Sequence, residues 1–165
     1  MNRFKITIFP LENKTIFLRG DLDVPLNNKK VVDNTRLQAL VPTIKFLLYK
    51  NCKIVLAGHL GRPEGKITEL LSIKPVFREL QKLLPQTKIT FLKDCIGKDI
   101  KEKIVQGNSK EIFVLENVRF YKEEEENDTA FAHSLARLAD VYINDAFANS
   151  HRKHASMQAI TTYLP

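Results

Sequence analysis

The stretch Lys53–Pro63 reads KIVLAGHLGRP, and it decides the fold that we expect for the whole chain. It opens with an unbroken apolar run, Ile54–Ala57, which is typical of a parallel strand buried on both faces. A glycine-punctuated turn follows and carries His59 and Arg62. Because ligands of open α/β sheets bind beyond the carboxyl ends of the strands, these two side chains are candidates for holding an anion. The alternative is a surface turn with ordinary basic residues.

The bulk composition is that of a globular chain and sets its class. The 165 residues, 44% hydrophobic and 27% charged, predict a single domain of ordinary size. We find no apolar run near the roughly 20 residues that span a bilayer, and no signal-peptide core at the start, so we expect no membrane partner. Cys52 and Cys95 lie far apart, without metal-ligand spacing. They are interpreted as free thiols of a reducing compartment, which predicts a cytoplasmic protein.

The net charge of +7 arises from 26 basic and 19 acidic residues. It predicts a polyanionic partner, either nucleic acid or a phosphorylated small molecule. The lysines are scattered along predicted helix surfaces, and the sequence has no aromatic stacking motif, zinc-finger spacing or recognition helix. We therefore expect no nucleic-acid partner. A non-catalytic basic domain that binds anions or nucleic acid through charge remains the alternative function.

Strand and helix patterns alternate along the chain with short connections. This alternation predicts an α/β fold, a three-layer α/β/α arrangement with a Rossmann-like parallel sheet of about five or six strands. The predicted strands are Thr15–Leu18, Ile54–Ala57, Lys88–Leu92, Glu111–Leu115 and Asp140–Asn144. The predicted helices are a long one capped by Asp33 or Asn34 and running to Leu48, then Ser72–Leu84, Lys98–Gln106 and Thr129–Ala139.

Three local features carry further expectations. Asn27-Asn28 predicts a tight turn after the first strand. Pro42 interrupts the apolar stripe of the first long helix, so we expect it to bend the helix or trim its first turns. The acidic run Glu123–Glu126 is expected to project into solvent or to lead into the next helix.

Charged side chains follow the predicted strands at the points where they end. If the sheet is parallel, these ends share one edge, and Arg36 joins them if its helix begins there. Arginine suits bidentate binding of carboxylate or phosphate, so the set predicts a site for a small molecule with more than one negative group. A single arginine could equally be a surface ion pair of little energetic value. The candidate residues are Asp21, Asp23, Arg36, His59, Arg62, Arg119, His151 and Arg152.

Two other motifs fail on their spacing. Gly61–Ile67 resembles a phosphate-binding loop, but that motif needs four residues between its glycines and Ser or Thr after the lysine. Here three residues separate the glycines, and Ile67 follows Lys66. His151 and His154 have a spacing seen in metal ligands, yet Arg152 and Lys153 between them disfavour a cation. We therefore expect no metal site.

Six segments resemble, in order and spacing, the amino-terminal half of phosphoglycerate kinase. They read LRGDLDVP, DNTRLQALVPTIKFLL, LAGHLGRPEGK, FLKDC, VLENVRFYKEEE and DVYINDAFANSHRKHAS. The resemblance runs from about Phe4 to the last residue. It implies a glycolytic kinase that transfers a phosphoryl group between 1,3-bisphosphoglycerate with ADP and 3-phosphoglycerate with ATP. It further implies that residues 1–165 form the single amino-terminal, substrate-binding domain, that the carboxyl-terminal nucleotide-binding domain is absent, and that the protein is a monomer.

The resemblance also implies roles for individual residues. Asp21, Asp23, Arg36, His59, Arg62, Arg119 and Arg152 match the residues that bind 3-phosphoglycerate, with His151 beside them. Arg36 resembles the catalytic arginine that reaches the transferring phosphoryl group. Mg-ATP or Mg-ADP would bind on the complementary nucleotide-binding domain, so this chain holds no cofactor of its own.

The chain departs from the family pattern at several positions. Asp23 stands where Asn is usual, so an added carboxylate faces an anionic substrate; it could weaken binding or pair with a nearby arginine. Gly20 stands where Val is common, and Ala148–Ser150 where Gly-Thr-Ala or small residues are usual. The chain ends at Pro165, where the family continues into the interdomain helix. We expect the chain alone to be inactive and to expose an apolar patch that the remaining segments would cover.

Overall fold

The computed structural model describes residues 9–165. The strands of this part are β1 (Thr15–Gly20), β2 (Leu26–Asn27), β3 (Lys30–Val31), β4 (Lys53–Ala57), β5 (Ile89–Phe91), β6 (Ile112–Val114) and β7 (Val141–Asp145). Five of them form one sheet in the order β5-β6-β4-β1-β7, and every pair of neighbours is parallel. β2 and β3 form a separate antiparallel hairpin.

The helices connect the strands as expected for a parallel sheet. They are α1 (Thr35–Tyr49), α2 (Lys74–Leu83), α3 (Lys98–Gln106), α4 (Lys122–Glu125) and α5 (Thr129–Ala136). α3 has the predicted bounds, whereas α5 ends three residues before the predicted Ala139. The predicted strands agree with the sheet strands to within two residues at each end.

The core lies on both faces of the sheet, because neighbouring side chains of a strand point to opposite sides. Ile16 and Leu18 of β1 pack with α1 and α2, whereas Phe17 packs with α3 and α5. β4 divides in the same way, with Ile54 on the first face and Val55 on the second. The predicted three-layer α/β/α arrangement with a parallel sheet is confirmed.

Pro42 lies inside α1 without trimming its first turns, so that part of our expectation is wrong. Leu37 and Leu40 before the proline, and Ile44 and Leu47 after it, are all buried in the core. Both halves of the helix are therefore held against the sheet, and this packing offsets the loss of the hydrogen bond that proline cannot donate.

The tight turn after β1 is present, one residue later than predicted. Asn27 pairs with Lys30, so the two loop residues are Asn28 and Lys29, with φ of 49° and 58°. Two positive φ values match a type I′ turn, which suits the twist of a two-residue hairpin.

β7 is an edge strand, and a groove of about 660 Å³ runs along it. Its lining includes Phe9, Pro10, Tyr142, Ile143 and Pro165. The backbone N–H of Tyr142 donates to the carbonyl of Pro165, which places the last residue beside this strand. None of the helices within residues 9–165 combines the length and the apolar character needed to cross a bilayer.

Candidate functional site

The site is assembled from the loops that leave the carboxyl ends of the parallel strands, together with the first turn of α1. Gly58, at the end of β4, lets the loop after β1 pack closely over it. A Cβ at this position would lie 2.4 Å from Cγ of Leu22, which no real Cβ tolerates. The loops after β1 and β4 therefore touch, and the side chains that they carry become neighbours.

Asp21 and Arg36 form an ion pair at this edge. Nη1 of Arg36 lies 3.0 Å and 2.9 Å from the two carboxylate oxygens of Asp21. Arg36 is the second residue of α1, and half of its side chain remains exposed. Residues 21–34, which include the β2–β3 hairpin, separate β1 from α1, yet Arg36 lies at the predicted edge, paired with Asp21.

Asp23 and Arg119 are joined through the backbone of Gly61. The N–H of Gly61 donates to Oδ1 of Asp23 at 2.8 Å, and its carbonyl accepts from Nη1 of Arg119 at 2.9 Å. Gly61 has φ of +64°, a conformation that favours glycine. Of the two outcomes expected for Asp23, pairing with an arginine is not observed among the described residues: this carboxylate holds the loop after β4 instead.

His59 is buried, with 1% of its surface exposed. Its Nδ1 lies 3.2 Å from Nη2 of Arg19, and its Nε2 lies 3.6 Å from Oδ2 of Asp23, longer than a hydrogen bond. Burial, followed by the positive charges of Arg19, Arg119 and Arg152, lowers the pKa of His59 to about 2. His59 is therefore neutral, and its contact with Asp23 is not an ion pair.

A buried network behind His59 was missed by sequence reasoning. Nε of Arg19 donates to Oγ of Ser156 at 2.8 Å, and the Ser156 hydroxyl donates to Oε1 of Glu124 at 2.6 Å. Arg19 is 1% exposed and Glu124 is fully buried. Desolvation lowers the pKa of Arg19, and the charge of Glu124 opposes this shift.

The acidic run was therefore only partly interpreted correctly. Glu126 is exposed, but Glu124 points into the protein, because α4 turns one member of the run towards Ser156. Local sequence offers no signal for this choice among adjacent glutamates. Arg19 did carry a signal: it is a charged residue inside a strand whose other members, apart from Thr15, are buried.

Several buried polar atoms at this edge have no hydrogen-bond partner among the described residues. Buried polar groups in folded proteins are nearly always paired, so a cluster of exceptions requires an explanation. Arg119 is 2% exposed and uses one of its three guanidinium nitrogens. Its Nε lies 3.4 Å from Oε1 of Glu125, without hydrogen-bond geometry. The buried polar atoms that lack a partner among the described residues are Arg119 Nε and Nη2, Arg152 Nε, Asn149 Nδ2 and Asp145 Oδ2.

The remaining predicted residues lie on the same loops. Arg62 is exposed between Gly61 and Pro63, and His151 is exposed beside Arg152. His154 faces inward, with Nδ1 3.9 Å from Oε1 of Glu124, and burial lowers its pKa. Within residues 9–165, no group of three or more His, Cys, Asp and Glu side chains is placed to hold a metal ion.

Comparison with known proteins agrees with this geometry. Residues 6–165 match the family model described as phosphoglycerate kinase. The chain is 45% identical over 163 residues to a phosphoglycerate kinase of Moorella thermoacetica, covering 98% of this chain and 41% of the relative. It is 46% identical over 155 residues to a cytosolic phosphoglycerate kinase of Triticum aestivum, covering 93% of this chain and 38% of the relative.

Solved structures give the same result. The fold matches the crystal structure of phosphoglycerate kinase from Pyrococcus horikoshii OT3 with a TM-score of 0.86 and 32% identity. That match covers 99% of this chain and 41% of the other. The structure of phosphoglycerate kinase from Coxiella burnetii matches with a TM-score of 0.85 and 32% identity, over 98% of this chain and 39% of the other. The chain thus spans about two fifths of the length of these relatives, and it belongs to the phosphoglycerate kinase family.

Proposed function

We propose that this chain is the part of a phosphoglycerate kinase that binds 3-phosphoglycerate or 1,3-bisphosphoglycerate. The whole enzyme would transfer a phosphoryl group between 1,3-bisphosphoglycerate with ADP and 3-phosphoglycerate with ATP. The observation that carries the proposal is the set of buried guanidinium nitrogens of Arg119 and Arg152 that have no acceptor within residues 9–165. An anionic ligand would supply the missing acceptors, since arginine binds phosphate and carboxylate through parallel N–H groups.

The residues at the carboxyl ends of the parallel strands would each have a separate role in binding. Arg119 and Arg152 would hold one anionic group of the substrate, and exposed Arg62 would cover it from the solvent side. Neutral His59 would donate a hydrogen bond without adding charge. The carboxylate of Asp21 would orient Arg36, and that of Asp23 would hold the loop after β4 in place, because each already accepts from a donor of this edge.

Arg36 would be the catalytic residue. It lies at the start of α1, half-exposed and held by Asp21. An arginine in this position can stabilise the negative charge that spreads over the oxygens of a transferring phosphoryl group, an effect worth roughly 10³ to 10⁵ in rate. The guanidinium group of Arg36 would leave Asp21 and contact the phosphoryl group as the nucleotide approaches.

Mg-ATP or Mg-ADP would be held by the complementary nucleotide-binding domain. The described residues contain no cluster of metal ligands, and the Gly61–Lys66 loop uses the backbone of Gly61 for Asp23 and Arg119 rather than for a phosphate. We further propose a monomeric protein of the cytoplasm, like the relative named as cytosolic.

A thermal-shift experiment tests the binding proposal. A ligand present at 100 times its dissociation constant stabilises the folded state by about 2.7 kcal/mol. For a chain of this size we expect 3-phosphoglycerate to raise Tm by about 5–10 °C. Arg62→Ala should abolish most of this rise with little change in the Tm of the free protein, because Arg62 is exposed.

Arg137→Ala is the matched control for loss of one positive charge. Arg137 is exposed and follows the last turn of α5, just before β7 begins, so it lies at the opposite edge of the sheet. This variant should keep the full response to 3-phosphoglycerate. If an RNA oligonucleotide raised Tm as much as 3-phosphoglycerate does, the non-catalytic basic domain that binds through charge would be favoured instead. The same would hold if Arg62→Ala and Arg137→Ala reduced the rise in Tm equally.

A further inference from the structure

Arg19 is in contact with His59 but does not contribute to the cluster of nitrogens that lack acceptors. Each of its three guanidinium nitrogens has a partner inside the protein: Nε donates to Ser156, Nη1 donates to the carbonyl of Gly20 at 2.7 Å, and Nη2 faces Nδ1 of His59. Three of its five N–H donors are thus used inside the protein, and the side chain is 1% exposed, so it is poorly placed to be a principal ligand of a substrate. Its role must lie in what it does to its neighbours.

The contact between Arg19 and His59 permits only one arrangement of protons. A guanidinium group has N–H donors and no acceptor, so Nδ1 of His59 must present its lone pair at 3.2 Å. A neutral imidazole with a bare Nδ1 carries its proton on Nε2. The nitrogen on the Asp23 side, which lies 3.6 Å from Oδ2 of that residue, is then an N–H donor without a close acceptor.

Arg19 is itself oriented by a chain of donors that runs in one direction. The Ser156 hydroxyl accepts from Arg19 and gives its own proton to Glu124, whose other oxygen accepts the backbone N–H of Ser156 at 2.8 Å. Because Glu124 is fully buried and can only accept as a carboxylate, the Ser156 proton cannot point back towards Arg19. The guanidinium plane is therefore held in the position that offers Nη2 to His59.

We propose that Arg19, oriented by Ser156 and Glu124, is a positioning residue that fixes His59 as the Nε2–H tautomer, so that this imidazole acts as a hydrogen-bond donor to the anionic substrate. The inference rests on the proposed function only for the identity of the ligand; the tautomer itself is a property of the free chain. A histidine fixed in this way serves substrate binding and takes no part in proton transfer, since its only basic nitrogen is blocked by a cation.

Nitrogen NMR of the 15N-labelled chain tests the tautomer without ligand. Long-range 1H–15N correlations distinguish a protonated from a bare imidazole nitrogen, and His59→Gln assigns the signals of His59 among the four histidines. We expect a bare Nδ1 and a protonated Nε2. A protonated Nδ1, or signals averaged between the two tautomers, would overturn the proposal.

Matched variants test whether Arg19 is the cause. Arg19→Lys keeps a donor near Nδ1 and should retain the Nε2–H tautomer, whereas Arg19→Met removes every donor and should yield averaged signals. Asp23→Ala is the control: averaged signals in this variant, with unchanged signals in Arg19→Met, would assign the tautomer to Asp23.

If the Arg19 variants do not fold, as judged by a cooperative melt, Ser156→Ala replaces them and should also yield averaged signals. Unchanged signals in the folded variant would overturn the role of the network.

Binding of 3-phosphoglycerate by calorimetry supplies a second readout. Ser156→Ala leaves every side chain proposed to touch the substrate in place, yet it should raise Kd about tenfold, the effect of one weakened hydrogen bond to a charged group. An unchanged Kd together with averaged NMR signals would overturn the role of the tautomer in binding. Failure of the unaltered chain to bind 3-phosphoglycerate would overturn the proposed function, whereas the NMR results would still decide the tautomer.

Discussion

At the scale of single residues, Asp23 places a negative charge beside a site that we propose for an anion. Its Oδ1 accepts one backbone N–H, from Gly61, and an asparagine could accept the same bond. We expect Asp23→Asn to lower Kd for 3-phosphoglycerate about fivefold, because a nearby charge in a partly hydrated site is worth about 1 kcal/mol. Calorimetry at low and high salt measures this, and the gain should shrink as salt rises.

The control for this prediction is Asp140→Asn at the opposite edge of the sheet. Oδ2 of Asp140 also accepts a single backbone N–H, from Thr15 at 2.8 Å, so the two substitutions are chemically equivalent. Asp140→Asn should leave Kd unchanged. Weaker binding by Asp23→Asn would mean that the carboxylate contacts the substrate as an acceptor or that its bond to Gly61 depends on the charge.

The low pKa of His59 makes the free energy of unfolding depend on pH. Burial and the neighbouring arginines lower its pKa to about 2 in the folded chain, against about 6.5 in the unfolded chain. Below pH 6.5 the unfolded state therefore takes up a proton that the folded state does not. The free energy of unfolding then falls by about 1.4 kcal/mol per pH unit from this group alone.

The comparison that isolates this effect is His59→Gln. Between pH 7 and pH 4.5, urea denaturation should show that the unaltered chain loses about 2–3 kcal/mol more than the variant. Carboxylates that titrate in the same range are present in both proteins, so their contributions cancel in the difference. Equal losses would indicate that His59 is protonated in the folded state, and the arrangement of Arg19 and His59 would need revision.

At the scale of elements, the strands were predictable because their physical signal is local. An apolar run such as Ile54–Ala57 needs burial on both faces, and Gly58 after it ends the run. The candidate residues Arg119 and Arg152 were chosen for a related reason, since they lie in the segments that follow β6 and β7, and the carboxyl ends of parallel strands share one edge. What could not be predicted was Glu124, because its burial depends on Ser156, 32 residues further along the chain. Contacts across such distances leave no periodic pattern in the sequence.

α4 provides the corresponding test, because its acidic run contains both a buried and an exposed glutamate. Glu124→Gln removes the buried charge that balances Arg19 and disturbs its bonds to Ser156. We expect a loss of about 3 kcal/mol in the free energy of unfolding, because the buried charge of Arg19, linked to Glu124 through Ser156, would lose its compensation. Glu126→Gln, an exposed neighbour, should change it by less than about 0.5 kcal/mol. Equal effects of the two substitutions would contradict the buried network.

At the scale of the whole molecule, charge is distributed according to the topology of the sheet. The parallel strands all deliver their following loops to one edge, and that edge holds Arg19, Arg36, Arg119 and Arg152 together. The carboxylates of Asp21, Glu124 and Glu125 offset part of this charge, but buried nitrogens of Arg119 and Arg152 have no hydrogen-bond acceptor among residues 9–165. The net charge of +7 alone would fit a diffuse nucleic-acid surface; the concentration of arginines at this edge, with buried nitrogens that lack acceptors among the described residues, favours a small, strongly charged ligand.

This concentration predicts that the chain binds one substrate of the family reaction and not the other. We expect calorimetry to detect binding of 3-phosphoglycerate, with no binding of Mg-ATP, because the described residues offer neither a triphosphate loop nor a cluster of metal ligands.

Phosphoryl transfer should be absent in a coupled assay of the chain alone. It should appear when the remaining three fifths of a relative, such as the Moorella thermoacetica protein, is added as a separate polypeptide. Turnover should then fall by roughly 10³-fold or more with Arg36→Ala, while Kd for 3-phosphoglycerate changes much less, since Arg36 would act mainly in the transition state. Turnover by the chain alone, or a loss confined to Kd, would contradict the assignment of Arg36 as the catalytic residue of a two-part enzyme.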